Sequence, residues 1–216
     1  MPVASQKAVK SPRRDAIRPT RHAAAPQEVR IIGGRWKRTP LVVKDLPGLR
    51  PTPARVRETL FNWLGQDLSG WRCVDAFAGT GALGLEAASR GASAVLLVEQ
   101  DPTLARGLAA MVERLQGGDV VTVQRGDAVS ALRQRQGAGL DIVFLDPPFG
   151  EGDANEALFR QALQAARQAV HAGGLVYLEA PHPWSDDELA QLGLQAHRWG
   201  RAGQVAFHLL RLLPPD

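Results

Sequence analysis

The 216-residue sequence is poor in cysteine, with Cys73 as its one copy. A single thiol cannot form an intramolecular disulfide, which excludes the small disulfide-stabilised secreted domains and favours a reducing compartment. Because Cys73 lies in an apolar run, we expect a buried structural thiol rather than a nucleophile.

Long apolar runs are also absent. No stretch approaches the roughly 18 residues that cross a bilayer, and the first residues lack the apolar segment of a secretory signal. The histidines are scattered, with neither the spacing nor the partner cysteines of a zinc site, so we expect no metal. These absences predict a cytoplasmic protein that does not interact with membranes.

Acidic residues are scarce in the first quarter of the chain. Residues 1–57 carry 14 Lys or Arg and three Asp or Glu, a net charge of +11, whereas the remaining residues carry 12 basic and 19 acidic side chains, a net charge of −7. A basic segment on an acidic body indicates a polyanionic partner, because phosphates neutralised by Lys or Arg release counterions. Residues 1–27 are predicted to form a basic disordered tail, and for them simple solvation is an equal alternative.

Glycine and proline are abundant, with 22 and 15 copies, as expected for many tight turns between strands and helices. From residue 71 onward, predicted strands alternate with predicted helices. The strands are placed at 73–77, 94–99, 120–124, 141–145, 174–179 and 204–210, and the helices at 82–89, 103–115, 155–170 and 186–192. Several strands are apolar without alternation, which is typical of a parallel sheet covered by helices on both faces. Residues 67–216 are therefore predicted to form a doubly wound α/β domain, with a turn at 199–203 before an antiparallel last strand.

Residues 28–66 are predicted to form a small extension that meets the polyanion. Strands at 29–32 and 40–43 flank the turn Gly33-Gly34 and make a hairpin, a loop covers 46–53, and a helix begins at 52 or 53 and runs to 64. Because the rest of the chain is net acidic, we expect the basic side chains of the extension to form a phosphate-facing surface, which consists of Arg30, Arg35, Lys37, Arg38, Arg50, Arg55 and Arg57.

A glycine-rich turn spans residues 75–84, directly after a predicted strand and opening a helix. Glycines permit close backbone approach, and a helix N-terminus offers N–H groups to a ligand. Gly79, Gly81 and Gly84 match the dinucleotide fingerprint, and Glu99 lies 20 residues after Gly79, where a ribose-binding acid belongs. This motif alone does not separate a nicotinamide enzyme from a methyltransferase.

Acidic side chains at successive strand ends separate these two alternatives. Asp75 would repel a pyrophosphate but suits the cationic ammonium and sulfonium of S-adenosylmethionine. Glu99 can accept from both ribose hydroxyls. Asp127 can accept from an adenine amino group, with an exposed turn Asp as the alternative. We predict that S-adenosylmethionine contacts Asp75, Phe77, Gly79, Gly81, Glu99, Asp127 and Asp146.

The fourth strand of the large domain ends in Asp146-Pro147-Pro148-Phe149. Two prolines rigidify the backbone and remove two donors, which leaves carbonyl groups as acceptors. A base amino group is a poor nucleophile because its lone pair is delocalised, and acceptors on its two hydrogens favour pyramidal geometry. The Asp146 carboxylate and the Pro147 carbonyl can act as these acceptors, while Phe149 stacks on the base. We predict that the four residues are catalytic; a rigid strand cap is the alternative.

Together these motifs resemble the RsmD family of small-subunit ribosomal RNA guanine-N2 methyltransferases. The likeness runs from about residue 29 to 210 and is carried by residues 31–34, 49–52, 55–62, 75–84 and 146–149. It implies a class I, Rossmann-like methyltransferase fold with a mostly parallel seven-stranded sheet, S-adenosylmethionine as methyl donor and one guanine of 16S ribosomal RNA as target. It also implies that the hairpin and the loop Arg50-Pro51-Thr52 approach RNA and the active site. The helix at 103–115 lacks the Asn that is usual in the family, so we assign it no binding role.

Three other functions remain open on the sequence. A nicotinamide-dependent oxidoreductase would use the same glycines and Glu99 but leaves Asp75 unexplained. The N-terminal charge alone suits a non-enzymatic RNA-binding module, and residues 146–149 also suit a DNA or other amine methyltransferase. An ionised Asp146 favours guanine, which presents adjacent N1–H and N2–H donors. Whether ribosomal RNA is met alone or in a partly assembled small subunit is left open, and we expect a monomer.

Overall fold

The computed structural model describes residues 29–41, 54–149 and 153–214. The N-terminal extension contains β1 (Val29–Arg30), β2 (Pro40–Leu41) and α1 (Ala54–Leu64). The large domain contains β3 (Arg72–Asp75), α2 (Ala82–Ser89), β4 (Ala94–Glu99), α3 (Pro102–Arg114), β5 (Val121–Arg125), α4 (Ala128–Arg133), β6 (Leu140–Leu145), α5 (Asp153–Ala169), β7 (Val170–Ala180), α6 (Asp186–Gln191), β8 (Leu194–Ala202) and β9 (Val205–Leu212). The predicted tail at 1–27 and the predicted loop at 46–53 lie outside the described residues.

The large domain is built on a seven-stranded sheet with the strand order β5-β4-β3-β6-β7-β9-β8. Strands β3 to β7 run parallel, and β9 is antiparallel to both β7 and β8. The chain moves outward from β3 to β4 and β5 and then returns to place β6 on the other side of β3, so the winding direction reverses between β3 and β6. At such a switch point, α/β domains bind ligands beyond the carboxyl ends of the strands.

Both faces of the sheet are covered by apolar cores. Ile142 and Phe144 of β6 belong to the core shared with α1, α2, α3 and the hairpin. Val143 and Leu145, the alternate residues of the same strand, belong to the core shared with α4, α5 and α6. Burial on both faces explains why β6 is a continuous apolar run rather than an alternating one. It also holds the carboxyl end of β6 in a fixed position.

Capping residues determine where two of the helices begin. The side chain of Asp101 accepts hydrogen bonds from the N–H groups of Thr103 and Leu104 at the start of α3, and Ser185 and Glu188 form a capping box at the start of α6. These side chains satisfy N–H groups that have no partner inside a helix. The two helices accordingly begin within one residue of the predicted positions.

The doubly wound, mostly parallel fold is confirmed, but helix α4 and strand β8 were not predicted. Helix α4 has six residues, too few for a helical period to stand out in the sequence. The prediction of a turn at 199–203 is wrong, because β8 continues to Ala202 and the chain turns at Gly203 (φ 61°). Gly200 serves packing instead: a Cβ there would lie 2.5 Å from Cζ of Phe207 on the neighbouring strand.

The prediction that Arg57 faces RNA phosphates is wrong. Its side chain lies on the buried face of α1 with Val56, Leu60 and Phe61, and the residue is 1 % exposed. Its Nη1 donates to the carbonyl of Arg30 at 2.9 Å and lies 3.7 Å from Oε2 of Glu86. Arg57 therefore connects α1 to the hairpin and to α2 inside the protein.

Two expectations from the sequence concern the thiol of Cys73 and membrane-spanning helices. Cys73 is buried on β3, as predicted, and burial raises the pKa of its thiol, which opposes formation of a reactive thiolate. None of the helices in the described ranges is long and apolar enough to cross a bilayer.

Candidate active site at the carboxyl edge of the sheet

Four acidic side chains lie at the carboxyl ends of adjacent strands. Asp75 ends β3, Glu99 ends β4, Asp127 follows β5 and Asp146 follows β6. Because these strands are parallel and neighbours in the order β5-β4-β3-β6, their ends lie along one edge of the sheet. Asp75 and Asp146 lie on the two sides of the switch point. The fold thus brings together the acids that the sequence predicted at successive strand ends.

Asp75 is enclosed by protein, with 1 % of its surface exposed. Its Oδ2 accepts a hydrogen bond from the Gly84 N–H (2.9 Å), whereas Oδ1 is buried and has no hydrogen-bond partner in the described part of the chain. Burial raises the pKa of Asp75 to about 7; the Gly84 N–H opposes this rise, and Glu99 and Glu179 add to it. A buried acceptor without a donor fits a ligand that brings a cationic group.

The turn after β3 needs glycine for two different reasons. Gly79 and Gly81 have positive φ angles of 51° and 77°, which other residues rarely adopt. Gly84 lies in the first turn of α2, where a Cβ would come within 2.2 Å of Cδ2 of Leu97 and 3.0 Å of Cβ of Asp75. The turn can therefore bend sharply, and α2 can pack closely on β3 and β4. Phe77 is half-buried beside the turn.

Glu99 holds the glycine turn in place. Its Oε2 accepts a hydrogen bond from the Gly79 N–H at 2.8 Å, and its Oε1 accepts one from the Asp101 N–H at 2.7 Å. Glu99 therefore ties the end of β4 to the turn after β3 and to the start of α3. Each carboxylate oxygen has a second lone pair, so contact with the ribose hydroxyls of a ligand stays a prediction.

Asp127 has a structural role that competes with the predicted one. Its Oδ1 accepts a hydrogen bond from the Ser130 N–H at 2.7 Å and caps α4. The residue is exposed beside the edge of the sheet. Its contact with adenine stays a prediction.

The motif after β6 combines a rigid backbone with an exposed aromatic ring. Asp146 is half-buried, Pro147 is buried and Pro148 is exposed. Phe149 is 42 % exposed, and its ring centroid lies 6.3 Å from that of Phe159 on α5. The ring therefore rests on the second core while a large part of it faces solvent, which suits a stacking surface.

One acidic residue next to Asp146 was not identified from the sequence. Leu145 pairs with Leu178, so Glu179 of β7 lies in the strand position beside Asp146. Glu179 is 3 % exposed and its Oε1 accepts a hydrogen bond from the Tyr177 hydroxyl at 3.0 Å. Burial, Glu179 and Asp146 all raise the pKa of Tyr177, so the hydroxyl keeps its proton. The signal was present, because the predicted strand at 174–179 ends at Glu179, as other predicted strand ends carry Glu99 and Asp127.

The hairpin tip, which carries Arg35, Lys37 and Arg38, lies away from this edge, so the implied approach of the hairpin to the active site is wrong for its tip. Arg30, Arg35, Lys37, Arg38 and Arg55 are exposed, while Arg50 and Thr52 lie outside the described residues. The hairpin tip contacts the last turn of α2, because the Arg35 N–H donates to the Ser89 carbonyl at 2.8 Å. Helix α2 starts at the glycine turn. The hairpin tip therefore lies roughly 11 Å along α2 from that turn, toward the amino ends of the parallel strands.

Glu86 of α2 joins the N-terminal extension to the large domain. Its Oε2 accepts a hydrogen bond from the Ile32 N–H at 2.6 Å and its Oε1 accepts one from the Gly33 N–H at 2.8 Å. The same Oε1 accepts from Nε of Arg90 at 2.8 Å, and Arg57 lies on the other side of the carboxylate. Glu86 is fully buried. This residue was not singled out in the sequence, since its partners are distant in the chain.

Within residues 29–41, 54–149 and 153–214, no group of three His, Cys, Asp or Glu side chains is placed to hold a metal ion. The acids at the carboxyl edge are instead separated by the strand spacing and engage backbone N–H groups. Such an arrangement suits an extended organic ligand that lies across several strand ends.

Comparison with known proteins agrees with this geometry. The family model described as "Conserved hypothetical protein 95" matches residues 29–211. Ribosomal RNA small subunit methyltransferase D of Escherichia coli K12 is 40% identical over 191 residues, which cover 84% of this chain and 89% of that protein. The protein of the same name from Haemophilus influenzae is 40% identical over 154 residues, which cover 70% of this chain and 78% of that protein.

Among solved structures, the Escherichia coli protein YhhF, assigned as a methyltransferase, has a TM-score of 0.70 at 37% identity, covering 87% of this chain and 99% of that chain. The family match over residues 29–211 spans the hairpin, the glycine turn and the motif after β6, which are among the features on which the resemblance was based. The chain therefore belongs to the conserved hypothetical protein 95 family, the RsmD family of small-subunit ribosomal RNA methyltransferases.

Proposed function

We propose that this protein transfers a methyl group from S-adenosylmethionine to the exocyclic N2 amino group of one guanine in small-subunit (16S) ribosomal RNA. The observation that carries the proposal is the placement of Asp146-Pro147-Pro148-Phe149 directly across the switch point from the buried Asp75. The names of the relatives support ribosomal RNA as the substrate.

The residues at the carboxyl edge fit S-adenosylmethionine. Asp75 has a buried carboxylate oxygen without a donor, which a cationic group of the ligand would satisfy. The positive-φ glycines allow the ligand to approach the backbone closely, and Glu99 and Asp127 offer acceptors at the next two strand ends. When bound, S-adenosylmethionine supplies an electrophilic methyl group. Asp75, Glu99 and Asp127 orient it along the edge, and Phe77, Gly79 and Gly81 shape the turn that receives it.

The motif after β6 makes the target nitrogen a better nucleophile. The Asp146 carboxylate and the Pro147 carbonyl accept hydrogen bonds from the two hydrogens of the amino group, which favours pyramidal geometry and frees the lone pair. An ionised carboxylate can also accept from guanine N1–H, so Asp146 favours guanine over adenine. Pro147 and Pro148 hold these acceptors rigid, and Phe149 stacks on the base. Glu179 lies in the strand position beside Asp146 and accepts a hydrogen bond from the Tyr177 hydroxyl.

The rival oxidoreductase function is disfavoured by charge at the same position. A nicotinamide dinucleotide would bring its pyrophosphate toward the glycine turn, next to Asp75. The Asp75 carboxylate would repel it, and this carboxylate has no basic partner among the described residues. We propose that a monomeric enzyme meets this RNA in the cytoplasm, as free ribosomal RNA or in a partly assembled small subunit.

Two measurements test the proposed function. Isothermal titration calorimetry should show binding of S-adenosylmethionine or its demethylated product and none of NAD or NADP at equal concentration. Mass mapping of 16S ribosomal RNA from cells that lack the protein should show one guanine without its N2 methyl group, and the purified protein should restore it. Tight nicotinamide binding, or a fully methylated RNA in those cells, would contradict the proposal.

A further inference from the structure

The last hairpin of the sheet, formed by β8 and β9, is basic although the domain that carries it is acidic. Residues 194–212 contain Arg198, Arg201 and Arg211 but no Asp or Glu, whereas residues 58–216 contain 12 basic and 19 acidic side chains. Strand β8 is at the edge of the sheet. The register places Arg201 on the sheet face that carries Trp199 and places Arg198 and Arg211 on the other face. Basic side chains on both faces of the hairpin attract phosphate groups.

Trp199 of β8 is the most exposed large apolar side chain in the described residues, at 59 %. Its ring stacks on that of His208, with centroids 6.5 Å apart and an interplanar angle of 20°. His208 is buried, and its Nε2 accepts a hydrogen bond from the backbone N–H of Trp184 at 3.3 Å. The indole is therefore held on a fixed partner while more than half of it faces solvent, as expected of a surface on which a base can stack.

The sheet register places Trp199 and Arg201 at the level of the catalytic motif. Asp146 lies beside Glu179, Glu179 pairs with Phe207 and Phe207 pairs with Gly200. Trp199 and Arg201 flank Gly200, so they border the same row. Their side chains lie on the sheet face of His208 and Leu178, the face on which Phe149 packs against Phe159. Three strand spacings separate β6 from β8, about 14 Å. One segment of single-stranded RNA can therefore reach both the catalytic motif and the edge strand.

We propose that Trp199 and Arg201 form a second RNA contact, in which an unpaired base near the target guanine stacks on Trp199 while Arg201 contacts its phosphate. This inference rests on the proposed function, since it assumes an RNA substrate. Arg201 is exposed, and its Nε donates to the Gly203 carbonyl at 3.1 Å, which holds the guanidinium beside the turn. The contact would guide the RNA strand toward Asp146. It would complement the hairpin tip, which lies at the amino ends of the parallel strands.

RNA suits this edge better than a second copy of the chain does. Antiparallel pairing of two β8 strands would bring the arginines of both copies close together, and like charges across paired strands are destabilising. Basic side chains on an edge strand by themselves serve to prevent such pairing. That purpose does not require an exposed tryptophan, whereas stacking combined with positive charge is the usual means of binding single-stranded nucleic acid.

Steady-state methylation and filter binding with transcribed 16S ribosomal RNA test the inference. Trp199→Ala should raise KM and Kd for RNA about tenfold, within the range for loss of one base-stacking ring, and change kcat less than about twofold. Trp199→Phe should restore most of the affinity, because the ring face persists. Arg201→Gln should lower the slope of log K against log salt by about one unit.

Arg167→Gln is the matched control for Arg201→Gln. Arg167 is also exposed and donates through Nε to a glycine carbonyl, that of Gly193, but it lies in the last turn of α5, at the amino ends of the parallel strands. It should leave the salt slope unchanged. Binding of S-adenosylmethionine and thermal stability should match the wild type in all four variants, since β8 is the strand farthest from β3 on its side of the sheet.

Several outcomes would overturn the inference. Wild-type KM and Kd in Trp199→Ala would do so, as would a loss of RNA affinity that accompanies an equal loss of S-adenosylmethionine affinity, because that would reflect misfolding. A wild-type dimer that dissociates in Trp199→Ala, seen by analytical ultracentrifugation, would assign the edge to a second copy. If the wild-type protein itself bound S-adenosylmethionine but no ribosomal RNA, the proposed function would fail together with this inference.

Discussion

At Asp75, a carboxylate is buried beside two other acids and lacks a basic partner in the described residues. Burial of an unpaired charge costs free energy, and proteins retain it where function requires it. The raised pKa, about 7 against an ordinary value of 3.8, expresses this cost. A carboxylate prepared in this way stabilises a cation more strongly than one in water would.

We expect Asp75→Asn to stabilise the ligand-free protein at high pH. Because the folded-state pKa is raised, the penalty is absent below pH 3.8, grows as the pH rises and is complete above about pH 7. Removing the charge should therefore increase the free energy of unfolding at pH 8 by up to about 4 kcal/mol and have little effect near pH 4. Urea unfolding between pH 4 and 8 measures this difference.

The same variant should bind S-adenosylmethionine more weakly, so that stability and ligand affinity change in opposite directions. Asp127→Asn is a suitable control, because Asp127 is exposed and its removal should show no such gain at high pH. A stability difference that is independent of pH would mean that Asp75 is not a buried charge.

Asp146 should matter most in the transition state, when the target nitrogen becomes pyramidal and gains positive charge. We expect Asp146→Ala to lower the single-turnover rate of methyl transfer by roughly 100-fold, the scale for loss of one preorganised electrostatic group. The affinity for RNA should change far less, because phosphate contacts dominate it. Labelled methyl donor and ribosomal RNA in single-turnover assays separate the chemical step from product release.

Phe149 provides the matching test of stacking within the same motif. Phe149→Ala should slow methyl transfer, whereas Phe149→Tyr should keep the activity because the ring face is retained. Wild-type single-turnover rates in both Asp146→Ala and Phe149→Ala would identify the motif as a rigid strand cap.

At the scale of elements, α2 is shared between the candidate active site and the N-terminal extension. Its first turn carries Gly81 and Gly84, and its second half holds the hairpin through Glu86 and Ser89. Helix and turn form one rigid unit because Gly84 and Ala87 leave no space between the helix and the sheet. The hairpin is therefore fixed relative to the glycine turn through a single element.

We expect Glu86→Ala to destabilise the protein by about 3–5 kcal/mol, the cost of leaving buried charges without a partner. The variant would remove the acceptor of the Ile32 and Gly33 N–H groups and the countercharge of Arg57 and Arg90. Chemical denaturation gives the global effect, and hydrogen exchange at Ile32 and Gly33 gives the local one. Both amides should exchange much faster.

Glu113→Ala, at an exposed position of α3, is the control and should change stability by less than about 0.5 kcal/mol. Glu86→Gln should be intermediate, since its amide oxygen still accepts but the charge is lost. Unaltered exchange at the two amides in Glu86→Ala would show that other contacts suffice to hold the hairpin.

At the scale of the whole molecule, two separate regions carry basic side chains, one on the N-terminal extension and one on the acidic large domain. The hairpin tip lies near the last turn of α2, and the β8–β9 hairpin lies at the far edge of the sheet. The catalytic motif lies at the carboxyl edge. A substrate that contacts all of these regions must be large and polyanionic, which agrees with folded ribosomal RNA.

Replacing Arg35, Lys37 and Arg38 together with Gln should weaken RNA binding and reduce the salt slope by up to about three units. Each residue is exposed on the hairpin tip, so the fold should not change. Binding isotherms at several salt concentrations measure the slope, and calorimetry should show unchanged affinity for S-adenosylmethionine. An unaltered slope would leave the tip with a purely structural role.

The large-domain fold and the acids of the candidate site were predictable because they depend on local signals. Apolar runs of strand length, a glycine turn and capping residues are each read within about ten residues of sequence. Parallel strands also bring their carboxyl ends to one edge, so Asp75, Glu99 and Asp146 could be expected to converge without a structure. The predicted strand at 174–179 ends at Glu179, so this residue could have been identified by the same reasoning.

Only the tertiary structure determines the roles of Arg57, Glu86 and Trp199. Arg57 belongs to a basic segment, yet helical periodicity turns it toward a carboxylate that is 29 residues away in sequence. The sequence predicts a turn at Gly200, but the residue lies within β8, where a Cβ would clash with the ring of Phe207 on the neighbouring strand. Sheet register places Trp199 next to the row of Asp146, which the sequence does not show. Each of these depends on contacts between distant segments, and only packing determines which distant segments meet.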